Sequence, residues 1–233
     1  TATNDVPTVG SFTVMTNEDV TYNFKLDDFT NPLLGNYSDS EGVSLDRIII
    51  VSNPVSGKLT LAGQSFAVNQ EITSQNLRDN QFKFRNKEHE NGSPYATFTF
   101  KVSDGVVTSN EQTITLNVVS INDAPVIAIG TDQFNNDAYK EGDLARLIIK
   151  NNGLTITDND VADQIISASI QITNGYEDGK DQLIFNSLNG ISGLFDHLTG
   201  TLILIGNAKK RADFQTALNS VRYFNLSGNP SSG

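Results

Sequence analysis

Acidic residues in this chain recur beside turn-forming residues. The pairs Asn4-Asp5 and Asn122-Asp123 each open an Asn-Asp-X-Pro motif, and the two motifs lie 118 residues apart, which is about one domain length. Carboxylates packed together repel one another unless a cation neutralises them. Oxygen ligands on flexible loops suit Ca²⁺, with about 6–8 ligands, better than Mg²⁺ or Zn²⁺. The pattern therefore predicts calcium chemistry and a repeated unit.

Two sets of candidate ligands follow, because alternate loops of an antiparallel strand series lie at the same end of a sandwich. The predicted junction set consists of Glu18, Glu88, Glu90, Asn122, Asp123, Asp158 and Asp160. A second set, with weaker expected occupancy, lies at the N-terminal end and consists of Asn4, Asp5, Asp39, Glu41 and Asp104. The alternative remains open that these are ordinary turn residues with solvated carboxylates.

Composition narrows the function classes. The 233 residues carry a formal net charge of −11 and no cysteine, which excludes disulfides and thiolate metal sites. The only run of consecutive basic residues is Lys209-Lys210-Arg211, so neither nucleic acid nor an anionic membrane surface is an expected partner. No apolar run approaches about 18 residues, so no membrane insertion is expected. The chain is expected to be part of a longer protein.

Strict apolar-polar alternation predicts half-buried strands. It occurs at residues 21–26, 96–102, 112–118 and 165–172. In the last of these, the expected core face carries Ile166, Ala168, Ile170 and Ile172. The apolar run at 201–205 predicts a more deeply buried strand, and turn signals separate all these segments.

One stretch has helical periodicity, because Phe214, Ala217, Leu218 and Val221 follow the i, i+3, i+4, i+7 spacing. Residues 72–84 contain a shorter counterpart. If residues 57–66 also correspond to 200–209, the two halves form an internal repeat. The second half then lacks counterparts of the last two strands of the first. We expect an open edge there, left either by trimming or for a partner strand.

These patterns predict an all-β chain of two tandem Greek-key, Ig-like β-sandwich domains, each with one short helix. The expected domains are residues 1–120 and 121–233, and the second is expected to be incomplete by about two strands.

The segments SGKLTLAGQSF, ITSQNLRDNQFKFRN and YATFTFKVSDG resemble cadherin-like repeats typified by chondroitin-sulfate-proteoglycan repeats. The segment GISGLFDHLTGTLILIGNAKKRADFQTALNSVRYFN resembles repeats found in tandem in very large bacterial surface proteins, and NDAPV is typical of junctions in such arrays. The resemblance implies sandwiches of about seven strands joined end to end, often with calcium at the junctions.

The expected function is a structural or adhesive tandem-repeat module of a secreted or surface-anchored bacterial adhesin, stiffened by calcium, with neighbouring repeats as partners. The alternative is a module that binds polysaccharide or like molecules on other cells. Its candidate sugar-stacking rings are Tyr37, Tyr95, Tyr139 and Tyr176. An enzyme is not expected. Glu88 and Glu90 form a carboxylate pair, but there is no tryptophan to line a sugar cleft, and surface or turn roles are expected for His89 and His197.

Overall fold

A computed structural model describes residues 3–140, 142–160 and 164–227. The chain divides into two compact units, and the division falls between Asn122 and Asp123. The strands and helices of unit 1 are β1 Phe12–Asn17, β2 Tyr22–Asn23, α1 Leu26–Thr30, β3 Arg47–Ile50, β4 Lys58–Leu61, β5 Gln64–Ser65, β6 Glu71–Thr73, α2 Ser74–Arg78, β7 Phe82–Arg85, β8 Gly92–Ser103 and β9 Gln112–Val119. Those of unit 2 are β10 Val126–Ile129, β11 Arg146–Leu147, β12 Leu154–Thr157, β13 Gln164–Gln171, β14 Asp181–Ile184, β15 Ile191–Asp196, β16 Thr201–Lys210, α3 Arg211–Asn219 and β17 Arg222–Asn225.

Unit 1 is a sandwich of two sheets, with strand orders β1-β9-β8-β3-β6 and β2-β7-β4-β5. β1 runs parallel to β9, and β8 is antiparallel to both β9 and β3. Along β8, Ala96, Phe98, Phe100 and Val102 are buried, while Thr97 and Thr99 alternate with them. The alternation predicted for 96–102 and 112–118 is confirmed, and the fold is an all-β sandwich.

Phenylalanine rings join the two sheets of unit 1. Phe24 and Phe82 belong to the β2-β7 side, and their ring centroids lie 5.8 and 6.4 Å from that of Phe98 on β8. All three rings are at most 1% exposed. Since burying such a side chain contributes about 1.5–3 kcal/mol, these rings are the centre of the core.

Two short helices close the edges of this core. α2 begins at a capping box, in which Thr73 Oγ1 accepts from Asn76 N at 3.1 Å and Asn76 Oδ1 accepts from Thr73 N at 2.9 Å. Its Leu77 is fully buried. The second helix, α1, has no counterpart in the sequence pattern; it places Phe29 against Phe12, with centroids 5.5 Å apart.

Unit 2 has sheets of order β11-β17-β14 and β13-β16-β15 and a β10-β12 pair. The predicted helix is confirmed as α3, and Phe214, Ala217, Leu218 and Val221 all point into the core. No helix of the described residues is long and apolar enough to cross a membrane.

Strand pairing corrects the alignment of the two halves. In unit 1 the strand after the helix, β7, pairs with β4, and in unit 2 the corresponding strand, β17, pairs with β14. β6 precedes α2 and pairs with β3, just as β16 precedes α3 and pairs with β13. Residues 200–209 therefore correspond to β6, and their predicted match to 57–66 is wrong. The Gly-X-Leu-X-Leu likeness behind it is shared by many amphipathic strands.

In unit 1, β3 is flanked by β6 and β8. Its counterpart β13 pairs with β16, and within the described ranges no strand pairs with its other edge. The core-facing Ile48 and Ile50 of β3 are fully buried, whereas Ile165 and Ile170 of β13 are only partly buried. Among the described residues, β13 is thus an edge strand, and the incompleteness of unit 2 stays a prediction.

Two details of this sheet differ from expectation. Between Ile165 and Ser167, a two-residue step on β13 faces a four-residue step on β16. This irregularity offsets the alternation, so Ile165 packs on the core and Ile166 is 71% exposed. The prediction of Ile166 on the core face is therefore wrong, while Ala168, Ile170 and Ile172 do pack there.

The strand over residues 201–205 is half-buried. Leu202 and Leu204 face the core, while Ile203 and Ile205 are 38% and 51% exposed. The predicted deeper burial is wrong because only one face of this sheet is covered by the core.

The irregularity in β13 can be tested with neighbouring isoleucines. Ile165→Ala should lower the free energy of unfolding of unit 2 by about 1–2 kcal/mol, because it removes partly buried apolar contacts. Ile166→Ala should change it by less than about 0.5 kcal/mol. Urea unfolding followed by tyrosine fluorescence would measure both, and equal losses would contradict the offset.

Candidate metal-binding clusters

Three segments of unit 1 bring the predicted N-terminal set together. Asn4 Nδ2 donates to Asp104 Oδ2 at 2.7 Å. The Asp5 amide lies 3.4 Å from both carboxylate oxygens of Glu41, and Ser40 Oγ lies 2.8 Å from Asp5 Oδ2. Residues about a hundred positions apart therefore form one acidic cluster, called here the end cluster: Asn4, Asp5, Asp39, Glu41 and Asp104.

Two aspartates of the end cluster shape their own loops. Asp39 Oδ1 accepts from the amides of Glu41 and Val43, both at 3.0 Å. Asp104 Oδ1 accepts from the amides of Val106 and Val107, at 2.7 and 2.8 Å. Such turns occupy one carboxylate oxygen and leave the other for a further partner.

The second carboxylate oxygens of Asp39 and Asp104 differ in their hydrogen bonding. Asp104 Oδ2 has the Asn4 amide, but Asp39 Oδ2 is buried and has no hydrogen-bond partner among the described residues. Buried polar atoms are normally paired, so an orphan calls for an explanation such as an ion. A free carboxylate oxygen is a ligand type that Ca²⁺ prefers. Among the described residues, however, no three carboxylates of the end cluster place oxygens within 4.8 Å of one another.

The electrostatics of the end cluster agree with this fit. None of Asp5, Asp39, Glu41 and Asp104 forms an ion pair with a described lysine or arginine. Burial, and then the charges of Asp39 and Asp104 together with that of Asp46, raise the pKa of Tyr37 to about 12. The pKa of Asp104 is lowered, first by the Asn4 side-chain amide and then by the Val107 and Val106 amides. The cluster therefore concentrates uncompensated negative charge.

At its other end, unit 1 holds its exit segment with Glu18, which is 4% exposed. Glu18 Oε1 accepts from the Ile121 amide at 2.6 Å, and Oε2 accepts from Asn91 Nδ2 at 3.3 Å. Asn122, also in the junction set, is the next residue along this segment. Glu18 thus fixes the backbone that precedes the Asn-Asp motif.

The other two predicted glutamates at this end, Glu88 and Glu90, do not bind the exit segment in the contacts described. Glu90 Oε2 accepts from Tyr95 Oη at 2.7 Å and from Ser56 Oγ at 3.1 Å, while Glu88 is exposed. The Tyr95 hydroxyl is the main cause of the lowered pKa of Glu90. Glu90 is thus held by hydrogen bonds within unit 1.

Sequence reasoning missed Asp19 beside this loop. Asp19 Oδ1 accepts from the His89 amide at 3.1 Å, and Asp19 Oδ2 lies 3.4 Å from His89 Nδ1. The Asn-Glu-Asp sequence at 17–19 was the available signal. His89 takes the turn role expected for it, with φ of 58°.

Unit 2 brings three predicted residues together. Asp160 Oδ2 accepts from the Asp123 amide at 2.5 Å, and Asp158 Oδ1 accepts from the Asp160 amide at 3.0 Å. Arg211, the first residue of α3, donates to the Asp158 carbonyl at 3.2 Å. The Asp-Asn-Asp loop therefore fixes the entry segment of unit 2 by carboxylate-amide bonds.

The four tyrosines suggested for sugar stacking are partly buried. The hydroxyl of Tyr37 donates to the Val43 carbonyl, and that of Tyr95 donates to the Glu90 carboxylate. The hydroxyls of Tyr139 and Tyr176 donate to the carbonyls of Asp143 and His197, respectively. Each ring thus supports a loop within its own unit.

The Asn4–Asp104 contact leads to a pH test. Asn4→Ala should raise the pKa of Asp104 towards the usual value of about 3.9, because it removes the largest cause of the lowering. A carboxylate with a lowered folded pKa contributes stability above about pH 4 that is lost as pH falls through that folded value. The variant should therefore lose less stability in acid than the wild type.

Carboxyl-resolved NMR titration would measure this pKa. Asp196 is the internal control, because the Thr199 hydroxyl is the main cause of its lowered pKa, and it should not move. An unchanged Asp104 pKa in the variant would contradict the assignment.

No family model matches this chain, and no curated protein matches it. Solved structures do match. Extracellular cadherin domains 1–4 of protocadherin gamma B7 share 12% identity, cover 89% of this chain and 42% of their own, and superpose with a TM-score of 0.36. Domains 1–5 of protocadherin gamma B2 share 14% identity, with coverages of 88% and 32% and a TM-score of 0.36.

An endo-fucoidan hydrolase of glycoside hydrolase family 107 shares 15% identity over 87% of this chain and 24% of its own, with a TM-score of 0.30. The chain thus spans less than half the length of each of these structures. Likeness at this level concerns the sandwich fold alone and says nothing about function.

Proposed function

We propose that this chain is a pair of tandem sandwich repeats from a larger extracellular protein, and that calcium bound at the ends of the units stiffens the array. The end cluster supports the proposal. Its four carboxylates lie on three segments of unit 1 and have no described cationic partner, and one of their oxygens, Asp39 Oδ2, is buried without a hydrogen bond among the described residues.

In the end cluster, Asp39, Asp104, Asp5 and Glu41 would supply carboxylate oxygens to the ion. Asn4 and Ser40 hold two of these carboxylates in place through hydrogen bonds of 2.7 and 2.8 Å. Calcium supplies the charge that offsets the repulsion among these groups. Because the contributing segments are far apart in sequence, bound calcium would tie the N-terminal segment to two loops of unit 1.

We assign calcium ligation also to the members of the junction set, taken unit by unit: Glu18 and Asn122 in unit 1, and Asp123, Asp158 and Asp160 in unit 2. Each part is already ordered around backbone amides, as the Glu18–Ile121 and Asp160–Asp123 bonds illustrate. A neighbouring repeat of the same protein would be the partner at each end. The resemblance to repeats of bacterial surface proteins supports a bacterial origin and a secreted or surface location.

Calcium binding at the end cluster is tested by titration calorimetry on the whole chain. Asp39→Asn should weaken calcium binding at this cluster at least about tenfold, because it removes a negative oxygen ligand. Calcium at 100 times its Kd should stabilise wild-type unit 1 by about 2.7 kcal/mol, seen as a higher melting temperature than in chelator.

Asp196→Asn is the matched control. Asp196 makes the same kind of turn, accepting from the Leu198 amide at 2.9 Å and Thr199 Oγ1 at 2.8 Å, and lies outside both ligand sets. Equal calcium affinities for the two variants, or identical melting with calcium and chelator, would sink the end-cluster assignment.

Stiffening is measured separately by small-angle X-ray scattering. Chelation should broaden the distribution of end-to-end distances in the wild type, because released carboxylates repel. Asp160→Asn should show that broad distribution even in calcium. Scattering profiles that do not change with calcium would rule out the stiffening role.

A further inference from the structure

The outer face of the β2-β7-β4-β5 sheet carries a group of basic side chains. Lys83 and Arg85 lie two residues apart on β7, and Lys58 on β4 is directly opposite Arg85. Residues at i and i+2 of a strand share a face, so Lys87, just beyond β7, continues the row. The sequence alone does not reveal this group, because the facing residues Lys58 and Arg85 are 27 positions apart.

Three of these cations have no counter-ion. Lys87 pairs with Glu90 at 3.4 Å, but Lys58, Lys83 and Arg85 form no ion pair with a described residue. Like charges directly opposite one another on neighbouring strands are destabilising. Such a group is unexpected in a chain with 27 acidic and 16 basic residues, and it indicates a surface for an anion.

The basic side chains line a groove of about 600 Å³ together with Asn23, Thr60 and Asn86. Asn86 is 4% exposed, and its Nδ2 donates to the carbonyls of Lys87 and Glu90 at 2.7 and 2.9 Å. Its Oδ1 and that of Asn23 are buried without a hydrogen-bond partner among the described residues. Of the residues that line the groove, the partly exposed Thr60 offers a hydroxyl to a ligand beside the cations.

We propose that this basic groove of unit 1 binds an acidic saccharide. Lys58, Lys83 and Arg85 contact its sulfate or carboxylate groups, and the Thr60 hydroxyl contacts a sugar hydroxyl. Charge-assisted bonds from lysine and arginine to such groups are stronger than neutral ones. This role goes beyond calcium stiffening and uses none of the calcium ligands.

The groove fits a saccharide better than a nucleic acid. The only aromatic residue that lines it, Phe84, is fully buried, so no ring is available to stack on a base. A nucleic acid carries a charge on every nucleotide and needs an extended basic stripe. Here three free cations lie along about 7 Å of strand on a strongly acidic chain.

The test is binding of dextran sulfate to the whole chain by titration calorimetry at low salt in chelator. Lys83→Gln with Arg85→Gln should weaken binding at least about tenfold, because two charge-assisted contacts are lost. Lys101→Gln with Arg78→Gln removes the same charge from other places in unit 1 and should change affinity less than about twofold. Thr60→Glu, opposite Lys83, should also weaken binding by placing a carboxylate in the groove.

Parallel arms identify the ligand chemistry. Polygalacturonate tests the carboxylate, uncharged dextran tests for binding without an anion, and a single-stranded DNA oligonucleotide tests the nucleic-acid alternative. Binding of either acidic polymer that is lost in the groove variants and weakened by added salt supports the proposal. Equal binding by groove and control variants, no binding of either acidic polymer, equal binding of uncharged dextran, or tighter binding of DNA overturns it.

Because the measurement is made in chelator, the result does not depend on calcium. A failure of calcium binding would leave the saccharide result intact, and the reverse also holds. Melting temperatures of the variants within a few degrees of wild type would show that a loss of binding is not a loss of fold.

Discussion

Backbone amides in loops need hydrogen-bond acceptors, and in this cysteine-free chain carboxylates provide many of them. Asp39 and Asp104 each accept from two amides of their own loops. Glu18 accepts from the segment that leaves unit 1, and Asp160 accepts from the segment that enters unit 2. Such bonds to an ionised acceptor are about twice as strong as neutral ones, so they order loops without disulfides. The sandwich core fixes the strands, and these carboxylates fix the loops at the ends of the strands.

This way of ordering loops has an electrostatic consequence. Each carboxylate that fixes a loop also adds a negative charge. The end cluster contains four carboxylates in all. The hydrogen bonds keep Asp104 ionised by lowering its pKa, so protonation cannot relieve the repulsion near neutral pH. The same charges help to raise the pKa of Tyr37. A divalent cation is the remaining way to offset that repulsion, which is why loop architecture and calcium binding are one hypothesis here.

Period-two and period-3.6 patterns predicted β8, β9 and helix α3, because one-sided burial leaves a direct signal in the sequence. The strand predicted over 21–26 is wrong beyond Asn23, since α1 begins at Leu26. The patterns failed at Ile166, where the irregular pairing between β13 and β16 depends on the partner strand. They also failed for the alignment of 57–66 with 200–209, since pairing partners are a property of the sheet. The loop residues of the end cluster were predicted as a set, but the buried oxygen of Asp39 needed coordinates. The basic groove could not be predicted from the sequence, because Lys58 and Arg85 become neighbours only when β4 pairs with β7.

Unit 1 thus carries two surfaces of opposite charge that act on each other through the field of the whole chain. Under the two proposals, an anionic saccharide that approaches the basic groove would meet the net charge of −11 as a repulsion, and calcium bound to the acidic loops would reduce that repulsion. Linkage makes the effect reciprocal: if calcium strengthens saccharide binding, the saccharide strengthens calcium binding by the same factor. The screening length is about 8–10 Å near physiological salt, so this coupling is largest in dilute buffer and shrinks as salt is added. Saccharide binding that is weaker in calcium than in chelator would contradict this electrostatic coupling.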